Sequence, residues 1–340
     1  MEPEVPPISK PPSARRLSPS LHLAAAMRLV SQDSPDLEAA GRRLLVTGPL
    51  YGIDLSLLWG IPDGSGGVRQ VCLAVIGAGR TAMLFLSEPP SKQDALAGTA
   101  IGEDPSDAQQ DRAECVHAAC RGLLEQYGEK VQVAQALPHV RETWAIDAYQ
   151  SAGLIGVGNL TYLRRPPQPV KVASTVLPEE LEMLRYSRVP NGEDALLQSL
   201  RSSYEDTKDC PELCGLREPE DILESHRATG KFDPDLWWIL RLRGTPSGCI
   251  LLSQCPEQRR IELVYMGVGT ELRGRGLSKP LLASAIREAT RARPDWPVTC
   301  AVDDRNEPAK RLYDSLGFEA FEHRCALVRR LSQPRQLTIS

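Results

Sequence analysis

Residues 272–278 read Leu272-Arg273-Gly274-Arg275-Gly276-Leu277-Ser278, and the segments on either side of this loop decide the fold. Ahead of it, residues 261–268 (Ile-Glu-Leu-Val-Tyr-Met-Gly-Val) form an apolar run of strand length, broken only by the acid Glu262. Behind it, Leu277, Leu281, Ala285 and Ala289 recur every four residues, and Leu282 and Ile286 widen the stripe. That period predicts a helix buried along one side. Pro280 falls in the first helical turn, where its missing N–H costs nothing. A strand, a Gly-rich turn and a helix together aim free backbone N–H groups and the positive end of a helix dipole at one point. Gly274 and Gly276 allow the backbone to approach a ligand closely. The expected ligand is an anion, a phosphate or pyrophosphate.

The rest of the composition is that of a soluble globular protein. The 340 residues are 41% apolar and 25% charged, with a formal net charge of -4. That length predicts two domains, and the acidic balance disfavours a nucleic-acid binder. Nine scattered cysteines include only two close pairs, Cys115-x4-Cys120 and Cys210-x3-Cys214. Neither has the second pair or histidine of a zinc site, so no metal and no disulfide framework is expected. No apolar run reaches membrane-spanning length, and the Met1-Glu2-Pro3-Glu4 start lacks the basic-then-apolar layout of a signal peptide. A cytoplasmic protein without a membrane partner is the expectation.

Along the chain, residues 1–22 read as a disordered tail, rich in Pro, Ser and Arg. Helices are expected at 36–50, 113–127 and 143–152, a hairpin at 70–86, and a short strand at 130–137, with 87–111 a loop. Pro166-Pro167-Gln168-Pro169 is a stiff linker between a first domain, 23–165, and a second, 170–332, with 333–340 a tail. The second domain is expected to hold a strand near 184–189, helices at 194–204 and 219–228, and an irregular segment at 206–216. A hairpin at 236–253 follows, then the opening stretch, a strand at 297–302, a helix at 307–316 and a strand at 320–329. Trp237-Trp238 alternates across the hairpin, which sends one ring to the core and leaves the other for a cleft. His226 and His323 are expected at the surface or at helix ends.

The halves resemble one another. Ala145, Tyr149, Ser151 and Gly153 recur as Ala309, Tyr313, Ser315 and Gly317, an offset of 313 − 149 = 164. Leu163 and Arg165 fall on Leu327 and Arg329 at the same offset. Shifting the Gly-rich loop back by 164 lands on Gln109-Gln110-Asp111-Arg112, without a glycine. A duplicated scaffold that kept its loop only in the second copy is the reading.

Residues 180–330 resemble a GNAT-superfamily N-acetyltransferase domain. Arg273-Gly274-Arg275-Gly276-Leu277-Ser278 matches the family's [Gln/Arg]-x-x-Gly-x-[Gly/Ala] signature except for the final Ser. Asn306, Ala309, Leu312-Tyr313 and Gly317-Phe318 match its second signature. The resemblance implies a mixed-sheet α/β fold in two tandem GNAT-like domains, the N-terminal one degenerate. It implies acetyl-CoA as cosubstrate, its pyrophosphate held by the backbone of Arg273, Gly274, Arg275, Gly276, Leu277 and Ser278. Met266 and Val268 would pair with the pantetheine arm, and Asn306 would bond to the cofactor. Tyr313 stands in the position of the general acid, and Glu262 near that of a glutamate base; Glu262 equally suits an ion pair with Arg259 or Arg260. The tandem layout is similar to that of the mycothiol synthases, which implies acetyl transfer to a primary amine of a small molecule by direct attack in a ternary complex. Transfer to a protein or peptide N-terminus, and acetyl-CoA binding without catalysis, are the alternatives. The acids of Asp209-Cys-Pro-Glu212, with Glu205 and Asp206, are either a seat for a cationic amine or a solvated loop. Oligomeric state is not legible.

Overall fold

The computed structural model describes residues 13–89, 105–172 and 176–331. Twelve strands form one mixed sheet. In chain order they are β1 (Arg15–Arg16), β2 (Leu58–Pro62), β3 (Val68–Gly77), β4 (Thr81–Leu86), β5 (Val133–Ala136), β6 (Ile155–Arg165), β7 (Leu181–Arg185), β8 (Trp237–Leu242), β9 (Thr245–Cys255), β10 (Arg260–Val268), β11 (Val298–Asp303) and β12 (Glu319–Arg330). Eight α-helices accompany them among the described residues: α1 (His22–Leu29), α2 (Leu37–Thr47), α3 (Pro105–Tyr127), α4 (Thr143–Ser151), α5 (Gly192–Tyr204), α6 (Pro219–Ala228), α7 (Ser278–Thr290) and α8 (Glu307–Asp314).

The strand order is β1-β2-β3-β4-β5-β12-β6-β11-β10-β9-β8-β7. Its centre departs from chain order, because β6 and β12 have changed places. β6, from the first half, pairs antiparallel with β11 of the second half, Val298 with Arg165 through to Asp303 with Leu160. β12, at the end of the chain, pairs with β5 of the first half, Leu327 with Ala136 through to Arg330 with Val133. The two exchanged strands lie antiparallel to each other. The 164-residue offset maps β6 onto β12, so the exchange is reciprocal. Side-chain bonds repeat the relation: Arg165 Nε donates to the carbonyl of Leu316 beyond α8 at 2.9 Å, and Arg329 donates to the carbonyl of Ala152 beyond α4 at 2.6 Å. The sheet therefore runs without a break past residues 166–169.

Helices cover both faces. On one, α3 and α4 pack with Leu84, Ala134 and Leu327, and α7 and α8 pack with Leu163, Leu263 and Cys300. On the other, α5 and α6 cover Trp237, Ile239 and Leu251, and α1 covers Leu58 and Val71. Trp237 and Trp238 face opposite cores and both are buried, so neither ring is left for a cleft. The strand expected near 184–189 lies at β7, where its pairing with β8 ends at Arg185.

Other expectations shift. Within the expected tail, Arg15 and Arg16 pair with Gly60 and Trp59 of β2, and α1 begins at His22; Leu17 is buried against this edge. Residues 1–12 and 332–340 lie outside the described residues. The expected loop at 87–111 ends early, since α3 starts at Pro105. β2 and β6 were not expected as strands. All nine cysteines are free thiols. Among the described residues no helix is long and apolar enough to cross a membrane.

Candidate active site

The parallel pair β10–β11 is joined for only two residues, Ile261 with Val298 and Glu262 with Thr299. β10 meanwhile continues beside β9 to Val268. The register shift between Leu263 and Tyr265 puts one extra residue into β10 just where it leaves β11, and such a bulge bends its strand. A wedge opens between the strands, and the edge of β10 from Leu263 to Val268 faces β11 without ladder bonds to it. Met266 and Val268 lie on this edge. The carbonyl of Val268 accepts Arg273 Nε at 3.0 Å.

Beyond β10 the loop 272–278 closes the wide end. Leu272 and Leu277 are buried and pin both ends of the loop into the core, while Gly274, Arg275 and Gly276 stand out. Both glycines hold positive φ, 73° and 71°, which side-chain-bearing residues adopt only at a cost. Leu277, at the cap of α7, has no side-chain oxygen, and no acid stands in the first turn. The first N–H groups of α7 are thus left for a ligand, as an anion site requires.

The two loop arginines do something other than expected. Arg273 donates to three carbonyls, Val268 at 3.0 Å, Ser203 at 3.0 Å and Asp206 at 3.1 Å, and so ties the loop to the end of α5. Arg275 pairs with Glu180 at 2.8 Å. The positive potential at the loop therefore comes chiefly from the helix end.

Tyr313 lies buried on the α7–α8 face of the sheet, near Cys300 of β11. α8 presents it inward beside Phe318, with ring centroids 5.5 Å apart. Burial, together with Cys300 and Asp209 nearby, pushes its phenol well above the usual value, so the hydroxyl keeps its proton. It makes no hydrogen bond within the described residues. Glu262 lies across the sheet, on the face that Thr299 shares. Its Oε2 accepts from Thr299 Oγ1 at 2.6 Å and lies 3.0 Å from Arg260 NH1. Burial raises its carboxyl, while the Thr299 bond and Arg260 act in the opposite direction. Of the two partners open to Glu262, the structure selects Arg260. Arg259 pairs with Asp295 instead.

Asn306 caps α8 by accepting from the Ala309 N–H at 3.3 Å, and its side chain also bonds the carboxylate of Asp209. Asp209 Oδ1 accepts in turn from the Asp303 N–H at 2.9 Å. Glu212 accepts from the two terminal nitrogens of the Arg305 guanidinium, at 2.6 and 2.9 Å. The carboxylates of Asp209 and Glu212 are thus bonded within the chain, although both residues, like Glu205 and Asp206, are exposed.

Asp303 and Arg305 were missed from the sequence. Asp303 is fully buried, accepts from the N–H of Cys210 and Arg305, and receives the Arg305 guanidinium. Burial alone would raise its carboxyl; the Arg305 side chain and those two N–H groups outweigh it and hold the group low. Arg305 also reaches the carbonyl of Val157 on β6 at 2.8 Å, so the segment 205–217 is clamped between the halves. Charged residues directly following an apolar strand were the available signal.

His226 stands in the last turn of α6, as expected, and is partly buried. It stacks on Tyr265 at 5.4 Å, and burial, with Arg217 adding to it, drives its imidazole down to about 4. His323, exposed on β12, lies 3.1 Å from Thr161 Oγ1.

The first half repeats the frame without the bulge or the Gly-rich loop. β4 stays joined to β5 for three residues and carries no bulge. The counterparts of the loop, residues 109–112, are helical within α3. Arg112 lies over Trp144, 5.1 Å from its ring centre. Tyr149, the counterpart of Tyr313, donates its hydroxyl to the carbonyl of Leu84 at 2.9 Å.

With this geometry in place, the acetyltransferase (GNAT) family model matches residues 197–318, which run from α5 through the wedge and the loop to Phe318. This part of the chain is a GNAT acetyltransferase domain. Two relatives are similar to most of the chain. The mycothiol acetyltransferase of Rhodococcus jostii (strain RHA1) is 29% identical over 288 residues, covering 78% of this chain and 90% of its own. That of Streptomyces bingchenggensis (strain BCW-1) is 29% identical over 254 residues, covering 70% and 78%. A crystal structure of a GCN5-related N-acetyltransferase from Sphaerobacter thermophilus shares the fold at a TM-score of 0.55 and 17% identity, over 95% of this chain and 97% of that one. The chain is thus an acyltransferase of mixed α/β fold in two tandem GNAT-like halves, and its family implies acetyl-CoA as cosubstrate.

Proposed function

We propose that the protein is an acetyl-CoA-dependent N-acetyltransferase that modifies a primary amine of a small molecule by direct attack within a ternary complex. The observation that carries this reading is the wedge between β10 and β11, closed by an uncapped helix end; Tyr313, whose hydroxyl bonds nothing among the described residues, supports it. The name shared by the two bacterial relatives supports a small-molecule acceptor.

Acetyl-CoA supplies an acyl carbon activated as a thioester. In this reading the N–H groups of residues 274–278 hold its pyrophosphate and the edge of β10 at Met266 aligns its arm, since the Arg273 N–H and the Val268 carbonyl are already bonded within the chain. Asn306 acts on the site through the helix start that it caps. Two reactants held in line can account for several kcal/mol of the barrier. The amine arrives as an ammonium ion and gives up two protons over the reaction, with Glu262 as acceptor on its side of the sheet. A nitrogen–carbon bond forms and the carbon–sulfur bond breaks, leaving its electron pair on sulfur. Tyr313 donates a proton there and one proton leaves to solvent overall.

Calorimetry tests the donor site. The wild type binds acetyl-CoA, whereas Gly276→Glu, which puts a side chain at positive φ and a negative charge at the helix end, loses binding by more than about a hundredfold. A variant that binds as well as the wild type removes the loop from the cofactor site. The raised carboxyl of Glu262 sets a sign for pH dependence. A base must be deprotonated, so kcat/KM falls as pH drops through a value above the ordinary glutamate range near ~4.3. Glu262→Gln abolishes that limb. A limb retained in the variant assigns it to another group.

A further inference from the structure

The first half keeps an opening of its own, at the place that corresponds to the β10–β11 wedge. The parallel strands β4 and β5 pair only from Thr81 with Val133 to Met83 with Gln135. Beyond Met83 they part, and an opening of about 510 Å³ is lined by Leu84, Phe85 and Leu86 of β4 and by Leu137 and Pro138 after β5. Tyr149, the counterpart of Tyr313, lines it from α4. That volume suits a small organic molecule.

Its charge is the reverse of an anion site. α3 starts at Pro105 and runs through the counterparts of the Gly-rich loop, so no free helix start stands at 109–112. At the same offset Asn306 falls on 306 − 164 = 142, and residue 142 is a glutamate. Glu142 lines the opening together with Glu88 and Glu322. Glu322 is paired with Arg324 at 2.5 Å. Among the described residues Glu142 and Glu88 accept only a backbone N–H each, from His139 at 2.7 Å and from Gln32 at 3.3 Å. Both arginines of the lining are committed, Arg324 to Glu322 and the Leu137 carbonyl, Arg260 to Glu262 and Thr299. Two carboxylates of the lining are thus left without a cation.

Aromatic rings make up the rest of the wall: Phe85, Trp144, Tyr162 and Phe321. Phe85 and Phe321 are 48% and 52% exposed, and Tyr162 meets Phe321 edge-on at 6.3 Å. Ring faces attract positive charge. Two of these rings already do so within the chain, since Arg112 lies 5.1 Å from the Trp144 centre and Arg164 lies 5.9 Å from that of Phe321. Rings and carboxylates therefore select the same sign of ligand. We propose that the opening between β4 and β5 binds an organic cation, an ammonium carried on an apolar or aromatic body. Its charge is met by Glu88 and Glu142, and its body lies against the rings. Acetyl transfer in the second half is not required for it.

Calorimetry of the full-length protein with benzyltrimethylammonium is the test, since that cation has no N–H to acetylate. It is expected to bind at least about tenfold more tightly than neutral benzyl alcohol or anionic phenylacetate. Glu88→Gln combined with Glu142→Gln removes both charges while an amide oxygen can still accept the two backbone N–H groups, and weakens the cation about tenfold. Phe85→Leu combined with Phe321→Leu, at half-exposed positions, weakens it about fivefold. Absence of binding, equal affinity for the alcohol or the phenylacetate, or an affinity that neither pair of substitutions changes overturns the proposal.

Discussion

Tyr313→Phe is expected to lower kcat about a hundredfold or more, the scale of a lost general acid, while leaving acetyl-CoA affinity nearly unchanged. The variant keeps the ring, and with it the contact to Phe318 and the α7–α8 core. Folding stability should therefore move little, because the hydroxyl bonds nothing in the described residues. The proton it loses is the one expected to reach the leaving sulfur. Steady-state kinetics with a calorimetric affinity on the same samples separates the two effects. An unchanged kcat would return Tyr313 to the role of a core residue. Tyr149→Phe supplies the contrast: its hydroxyl holds the Leu84 carbonyl, so its loss is read in thermal stability, at about 1 kcal/mol.

Residues 170–332 produced without the first half are expected to lose both folded monomer and acetyl-CoA binding. β11 would lose the six residue pairs that it makes with β6, leaving a long bare edge beside the wedge. β12 would lose both its neighbours, β5 and β6. The Arg305 bond to Val157 and the Arg217 bond to the Gly79 carbonyl, which steady residues 205–217, would go with them. Bare strand edges attract other chains, so aggregate or an exchanged dimer is the expected product. Light scattering, circular dichroism and calorimetry read the result, and residues 1–165 supplied in trans should restore binding. A folded, binding-competent monomer would show that the exchange is dispensable. Loss of binding, the expected result, makes the first half the supplier of a strand on which the reactive half depends.

Much of the site was legible because it is local. The Gly-x-Gly turn, the apolar stripe of α7 and the Asn306–Phe318 pattern each lie within a few turns of chain, and a short motif sets the backbone it needs. The same holds for the repeat: Tyr149 and Tyr313 occupy matching places, as do Arg165 and Arg329. What the motif did not show was how its arginines are used. Arg273 looks like a ligand for phosphate in sequence, yet three carbonyls from two other segments surround it. Likewise the acids at 209 and 212 look free until the N–H of Asp303 and the side chain of Arg305 meet them.

The sequence by itself determined a duplicated mixed-sheet scaffold, a Gly-x-Gly loop ahead of a helix and a tyrosine recurring at the same place in both halves, since period, glycine spacing and offset are local properties of the chain. Only the tertiary structure decided which strands meet. β6 and β12 have equivalent patterns, so either could satisfy the hydrogen-bonding edges of β5 or β11, and no local signal distinguishes staying from exchanging. The same assembly decided the state of the two tyrosines. Tyr149 found a backbone acceptor at Leu84, whereas Tyr313, buried in the α7–α8 core, has no hydrogen-bond partner among the described residues.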